Sequence, residues 1–172
     1  QPVNGTTSFF TNTTTAINPN TACVTTKTCT LAGWLFSVSS TSNCGQNWTN
    51  SGGGDGRFQN LVGFGTLSQI TFGSDDGSEF ALQNLIWGVS TSSWTSKSMT
   101  FTGYKNGMAV PNATMNATTP PGTGILNTLV INFTSIAGFN DVDEVRLSPV
   151  GTTTCNSILF FEEITVGTAT VA

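Results

Sequence analysis

Apolar and polar side chains alternate along much of this chain, with the period of two that is typical of β-strands. In the clearest stretch, from Ile70 to Gly107, apolar residues stand two positions apart in three runs: Ile70 and Phe72, Phe80 and Leu82, and Met99 and Phe101. Two turn sequences separate these runs, Ser74–Gly77 and Tyr104–Gly107, whose Gly and Asn residues tolerate the positive φ of tight hairpins. The pattern predicts consecutive strands and leaves no room for a long helix.

Further strands are predicted on both sides of this stretch: 31–38, 125–133, 145–147 and 158–166. In the last of them, alternation places five residues on one face: Ile158, Phe160, Glu162, Ile164 and Val166. The prolines within residues 111–121 predict an exposed connection instead of a long strand. Short strands at intervals of roughly ten residues indicate an all-β, antiparallel two-sheet sandwich of jelly-roll type, with a barrel as the alternative.

The length of 172 residues is enough for one β-sandwich domain, which we assign to residues 23–172. Residues 1–22 form an extended N-terminal segment rich in Thr and Asn. Its β-branched content favours an added strand, lying either on its own domain or on the edge of a neighbouring molecule. Three apolar side chains could anchor such a donated strand: Phe9, Phe10 and Ile17.

The chain carries few charges, since only 8% of its residues are Asp, Glu, Lys or Arg and its net charge is -4. Without a basic patch to neutralise phosphates, nucleic acid is not expected as a partner. Its apolar runs are only a few residues long, which predicts no membrane span. A surface solvated by hydroxyls and amides suits a secreted, extracellular or cell-surface protein.

Four cysteines, Cys23, Cys29, Cys44 and Cys155, predict two disulfides in an oxidising compartment. Three pairings are open, and we favour Cys23 with Cys29 and Cys44 with Cys155. Zinc is disfavoured because histidine and a short Cys-x-x-Cys spacing are both absent. Six Asn-x-Ser/Thr sequons could carry glycans: Asn4, Asn12, Asn47, Asn112, Asn116 and Asn132.

Several sequences, in order, resemble a known family: the central stretch with its GYKNG turn, then FNDVDEVRL, then the closing FFEEITV. They are similar to the jelly-roll modules of galactose-binding-like or carbohydrate-binding type found in secreted bacterial proteins and surface adhesins. The similarity covers Thr30 to Val166. It implies a glycan partner and one structural calcium ion. This chain departs from the family by having Glu162-Glu163 where such modules usually carry two aspartates.

The amino-acid composition limits which catalytic sites this chain could form. A chain without histidine cannot build a Ser/His/Asp or Cys/His constellation. A glycosidase pair could come only from carboxylates such as Asp75 or Asp76 with Glu162 or Glu163. Turn-forming and structural roles explain these acids better, so we expect a non-enzyme.

Calcium is the one cofactor that the sequence suggests, with Asp75, Asp76 and Glu162 as ligands. Glu162 falls on an apolar strand face, where a carboxylate must be paired, hydrogen-bonded or metal-bound. Pairing of Glu162 with Arg146 or Lys105 is the alternative.

Two functions fit these features best. The first is a structural subunit of a surface fibre or layer, assembled from copies of itself by β-strand addition. The second is a glycan-binding, lectin-like or adhesin-like module that uses Trp48 and Trp94, which lie in polar loops and could stack on sugars. Trp34 lies within an apolar run and is expected in the core. A carboxylate-dependent glycosidase is a distant third.

Overall fold

The structure is a computed structural model of the chain. The structure describes residues 2, 4–8, 28–40, 47–50, 58–61, 67–90, 98–118, 127–150 and 158–171. In these ranges, the regular elements are β-strands and one short 3₁₀ helix, Ala137–Asn140. The strands are β1 (Gly5–Ser8), β2 (Thr28–Leu31), β3 (Trp34–Ser40), β4 (Asn47–Asn50), β5 (Phe58–Leu61), β6 (Leu67–Ser74), β7 (Phe80–Ser90), β8 (Ser98–Lys105), β9 (Met108–Thr118), β10 (Asn127–Asn132), β11 (Glu144–Pro149) and β12 (Ile158–Thr168).

The strands form two antiparallel sheets, so the predicted all-β sandwich is confirmed. Sheet A has the order β10-β7-β12-β5-β4, with β1 also paired to β12. Sheet B has the order β2-β3-β6-β11-β8-β9. This arrangement is compatible with a jelly-roll-like fold. No helix in the described ranges is long and apolar enough to cross a membrane.

Aromatic side chains from both sheets fill the space between them. Trp34 of sheet B is fully buried, as expected from its apolar run, and lies edge-on to Phe80 of sheet A with ring centroids 5.1 Å apart. Farther along the sandwich, Trp87 of sheet A meets Phe101 of sheet B in the same edge-on geometry at 5.8 Å. These contacts hold the sheets together through burial of large apolar surfaces.

The proline-rich connection predicted after Gly107 is partly wrong, because residues 108–118 form the eleven-residue strand β9. Proline is tolerated there because β9 is an edge strand, where Pro111 does not need an N–H for a neighbouring strand. The pairing with β8 is irregular between Thr102 and Tyr104, and Asn112 has a φ of 61°. Residues 110–113 therefore bulge away from β8.

The predicted face of the last strand is also wrong in part. Phe161 is fully buried, and the centroid of its ring lies 5.6 Å from that of Phe72. The alternation had predicted Phe160 on the core face instead. The cause is a bulge: Phe161 lies opposite Trp87, whereas Glu163 lies opposite the next residue, Ile86. The extra residue shifts the alternation by one position.

Cys29 on β2 is 2% exposed and is disulfide-bonded. The other three cysteines, Cys23, Cys44 and Cys155, lie outside the described residues, so the pairing stays a prediction.

Candidate functional site

Two features of the described structure could serve a function: an edge of β12 that the N-terminal strand occupies, and a cavity beside the β8–β9 hairpin. The edge, residues Glu163–Val166 of β12, is called the β1 slot below. On one side of β12, β7 pairs along the whole strand. On the other side, β5 pairs only with residues 158–161 and β1 only with residues 163–166. The slot is therefore the half of this edge that β5 leaves uncovered.

The side chains that hold β1 in its slot are small and polar. Thr6 and Thr165 share a hydrogen bond between their hydroxyls, 2.9 Å apart. Asn4 donates from Nδ2 to Thr168 Oγ1 at 2.8 Å. The sequence of β1 is GTTS, which contains no large apolar side chain, so backbone pairing supplies most of the attachment.

The side chain of Thr7 contacts the core. The fully buried Trp34 donates from its indole Nε1 to Thr7 Oγ1 at 3.3 Å. A buried indole N–H needs an acceptor, and β1 provides it. The N-terminal strand therefore supplies a hydrogen-bond acceptor to the buried Trp34 indole without adding a large apolar side chain to the core.

The second feature, called the hairpin cavity below, has a volume of about 560 Å³. Its apolar walls come from the β8–β9 hairpin, the 3₁₀ helix and the C-terminal end of the described chain: Met108, Val110, Pro111, Ala137 and Val171. Met108 is 71% exposed and Val171 is 82% exposed. This volume lies in the range of small-ligand sites, and its predominantly apolar lining is also typical of them.

Two backbone features set the shape of the hairpin cavity. Asn112, in the bulge of β9, has the left-handed φ of 61°, which is uncommon outside glycine. Gly138 in the 3₁₀ helix lies so close to β9 that a Cβ there would be 2.4 Å from the backbone nitrogen of Ala113. A glycine is therefore required for the helix to approach the bulge.

A network of ion pairs stands at the wall of the cavity. Lys105 Nζ lies 2.7 Å from Asp141 Oδ2 and 2.8 Å from Glu79 Oε1. Hydrogen bonds to Asp141 and then to Glu79 raise the pKa of Lys105 above its ordinary value of 10.5, because both carboxylates favour the ammonium form. Lys105 is thus a fixed, charged donor.

Nearby turns are joined through Asp143. Its carbonyl accepts from Ser74 N at 2.9 Å, its N–H donates to Tyr104 O at 2.9 Å, and its Oδ2 accepts from Asn106 N at 2.7 Å. The predicted turn at Asn106-Gly107 is present, with φ of 52° and 77°. These bonds hold the hairpin and the turn after β6 in one arrangement.

Arg146 lies on the outer face of sheet B. It forms an ion pair with Glu144, and its guanidinium carbon lies 3.7 Å from the centroid of the Tyr104 ring. Burial alone would lower the pKa of Arg146, but the Glu144 carboxylate raises it above the ordinary value. The two cations proposed as partners of Glu162 thus have carboxylate partners elsewhere.

The proposed calcium ligands are not gathered together. Asp75 and Asp76 lie in the exposed turn after β6, whereas Glu162 lies in β12 of the other sheet and is 6% exposed. Within the described ranges, no group of three or more Asp, Glu, Cys or His side chains could hold a metal ion. Asp76 instead accepts a hydrogen bond from the N–H of Ser78 at 3.0 Å in its own turn, and hydrogen bonding with Ser78 lowers the pKa of Asp76 to about 2.

The remaining predicted residues divide into two groups. The sequon residues Asn4, Asn112, Asn116 and Asn132 are exposed, and Asn132 accepts from the N–H and hydroxyl of Thr134 at 2.9 and 2.6 Å. The others have side chains outside the described part of the chain: Asn12, Asn47, Trp48, Trp94, Phe9, Phe10 and Ile17. The glycan-binding prediction, which rests on Trp48 and Trp94, therefore stays a prediction.

Sequence reasoning missed both the β1 slot and the hairpin cavity. The partners Thr7 and Ile164 are too distant in sequence for any local pattern to connect them. The positive φ of Asn112 in β9 left no sign in the alternation. Only Pro111 marked the edge position of that strand.

A comparison with protein-family models finds no match, and a comparison with curated proteins also finds none. The fold and the β1 slot define the class of protein: a two-sheet antiparallel β-sandwich whose N-terminal strand completes one half-edge of a sheet.

Proposed function

We propose that this chain is a non-enzymatic extracellular structural protein, a subunit of a surface fibre or layer whose copies are joined by exchange of β1. The observation that carries the proposal is the β1 slot. A separate four-residue strand fills a half-edge of β12 that would otherwise be an unpaired sheet edge.

The same bonds can form within one chain or between two. Strand exchange replaces each contact of β1 by an identical contact to the next copy, so its free-energy cost is small. Residues 9–27 connect β1 to β2 and could span up to roughly 60 Å if extended. A one-way exchange of this kind is heterologous and propagates from copy to copy.

The extracellular location is supported by the low charge, the disulfide at Cys29 and the exposed sequons. The resemblance to secreted jelly-roll modules agrees with this location. Intact-mass measurement with and without reduction and deglycosylation tests it. A reduced, unmodified chain recovered from its native source would contradict it.

A cross-link designed on the pair Thr6 and Thr165 tests the exchange, because these residues are opposite each other in the slot. The variant Thr6→Cys/Thr165→Cys is allowed to oxidise at high protein concentration and is run on a non-reducing gel. Exchange predicts a ladder of covalent oligomers that collapses on reduction. The single variants Thr6→Cys and Thr165→Cys control for exchange with the native cysteines. A covalently closed monomer at every concentration would show that β1 stays on its own chain.

A further inference from the structure

We infer that the hairpin cavity is a binding site for a neutral, aliphatic peptide residue, which it holds by an apolar side chain and a backbone carbonyl. This site is separate from the β1 slot, and the inference does not depend on strand exchange. It rests on the shape, lining and charge of the cavity.

The walls select an aliphatic group. Among the described residues, the apolar walls consist of methionine, alanine, valine and proline, and no aromatic residue lines the cavity. A sugar ring is usually bound by stacking on an aromatic face, which these walls do not provide. Met108 and Val171 would bury apolar surface that is now in water, which favours a ligand with a branched apolar side chain.

The polar groups select a carbonyl. An ammonium has three N–H donors, and Glu79 and Asp141 accept from Lys105 in the network described above. One donor is left for an acceptor on a ligand.

The charges select against an ionised ligand. Lys105 is already compensated by two carboxylates, so an anion gains little from it. Any charged group would also lose its hydration against the apolar walls. A neutral amide beside an aliphatic side chain satisfies both conditions, and this is the chemistry of an apolar residue within a peptide.

The test is a titration of the full ¹⁵N-labelled chain with three neutral probes, followed by NMR. N-acetyl-leucine methylamide should shift the amide resonances of Val110 and Gly138, with a dissociation constant on the order of 1 mM. N-acetyl-serine methylamide keeps the peptide groups but loses the apolar group, and should bind at least about tenfold more weakly. N-acetylglucosamine carries an amide on a sugar and should cause no saturable shift.

Two tryptophan variants on β9 give a matched pair. Met108→Trp, opposite the cavity-lining Lys105, puts a larger side chain into the cavity and should weaken leucine-probe binding at least about tenfold, whereas Thr114→Trp lies away from the lining and should leave it unchanged. Lys105→Met keeps the aliphatic stem and removes the donor, so binding should fall about three- to tenfold.

Thermal melting of each variant confirms that it is folded before binding is compared. Equal affinity for the leucine and serine probes, tighter binding of the sugar, or shifts that avoid Val110 and Gly138 would each overturn the inference.

Discussion

Trp34 and Thr7 form a side-chain hydrogen bond between the buried core and the N-terminal strand, with 3.3 Å between Nε1 and Oγ1. The indole is fully buried, whereas Thr7 is only half-buried at the sheet edge. Attachment of β1 is thereby coupled to the stability of the core, because release of β1 leaves a buried donor without its acceptor.

Replacement of Thr7 by Val should destabilise the fold. Valine has nearly the same shape but lacks the acceptor, so the unfolding free energy should fall by about 1–3 kcal/mol. Thr6→Val is the matched control, since its partner Thr165 is near the surface, and the loss there should be below about 1 kcal/mol. Urea denaturation of both variants measures the difference. Equal effects would mean that the Trp34 contact has no special importance.

Gly138→Ala should be among the most harmful single-methyl additions to the fold. Its Cβ would lie 2.4 Å from Ala113 N and 2.6 Å from the carbonyl carbon of Asn112, so backbone must move. A loss of about 2–3 kcal/mol is expected, measured by urea denaturation. Gly77→Ala is the control, because its Cβ meets open space and only the φ of 75° opposes it, at about 1 kcal/mol. A milder effect at Gly138 than at Gly77 would contradict the tight contact.

Asp76 should titrate in NMR with a midpoint of about 2, below its ordinary value of 3.8. A carboxyl whose pKa is lowered on folding stabilises the fold above the unfolded value. That contribution should therefore be lost as the pH falls from about 4 to 2. The Asp76→Asn variant should show a flatter pH dependence of stability over the same interval. An unchanged slope would mean that the ionised Asp76 carboxylate does not stabilise the turn.

Lys105 should contribute to stability with the opposite pH dependence. Its pKa is raised on folding, so the ion pairs stabilise the fold fully below pH 10.5, and the contribution is lost as the pH rises through the raised value. The difference in unfolding free energy between the native chain and Lys105→Met should stay constant from pH 7 to about pH 9.5 and shrink above 10.5. A difference that kept its size at pH 12 would exclude the Asp141 and Glu79 pairs as its source.

The strands with uninterrupted alternation were predictable from sequence alone. Phe72 and Phe101 are buried as their period of two requires, and the Asn106-Gly107 turn has the positive φ that its residues favour. Prediction failed where one extra residue interrupts a ladder. The bulge before Glu163 placed Phe161 in the core against the expected alternation, because a local pattern carries no information about the opposing strand.

The candidate sites were less predictable than the fold. The cavity depends on the close approach of Gly138 to Ala113, which a sequence pattern does not encode. The expectation of an added N-terminal strand came from composition, but its register against β12 required the structure. The predicted calcium ligands were chosen because they are acidic: Asp75, Asp76 and Glu162. They lie on different elements of the fold, and a sequence shows residue types more readily than which residues are close in space.

The antiparallel pairing of β1 with β12 has a mechanical consequence. The bond between Asn4 and Thr168 places the outer ends of the two strands side by side, so tension applied at residues 4 and 168 acts at the same end of the pair. The backbone pairs from Gly5–Val166 to Ser8–Glu163 would then break one after another, starting at the end where the force acts. They would share the force only if the two strands were pulled in opposite directions along their length. Under tension β1 should therefore separate at low force while the rest of the sandwich stays folded.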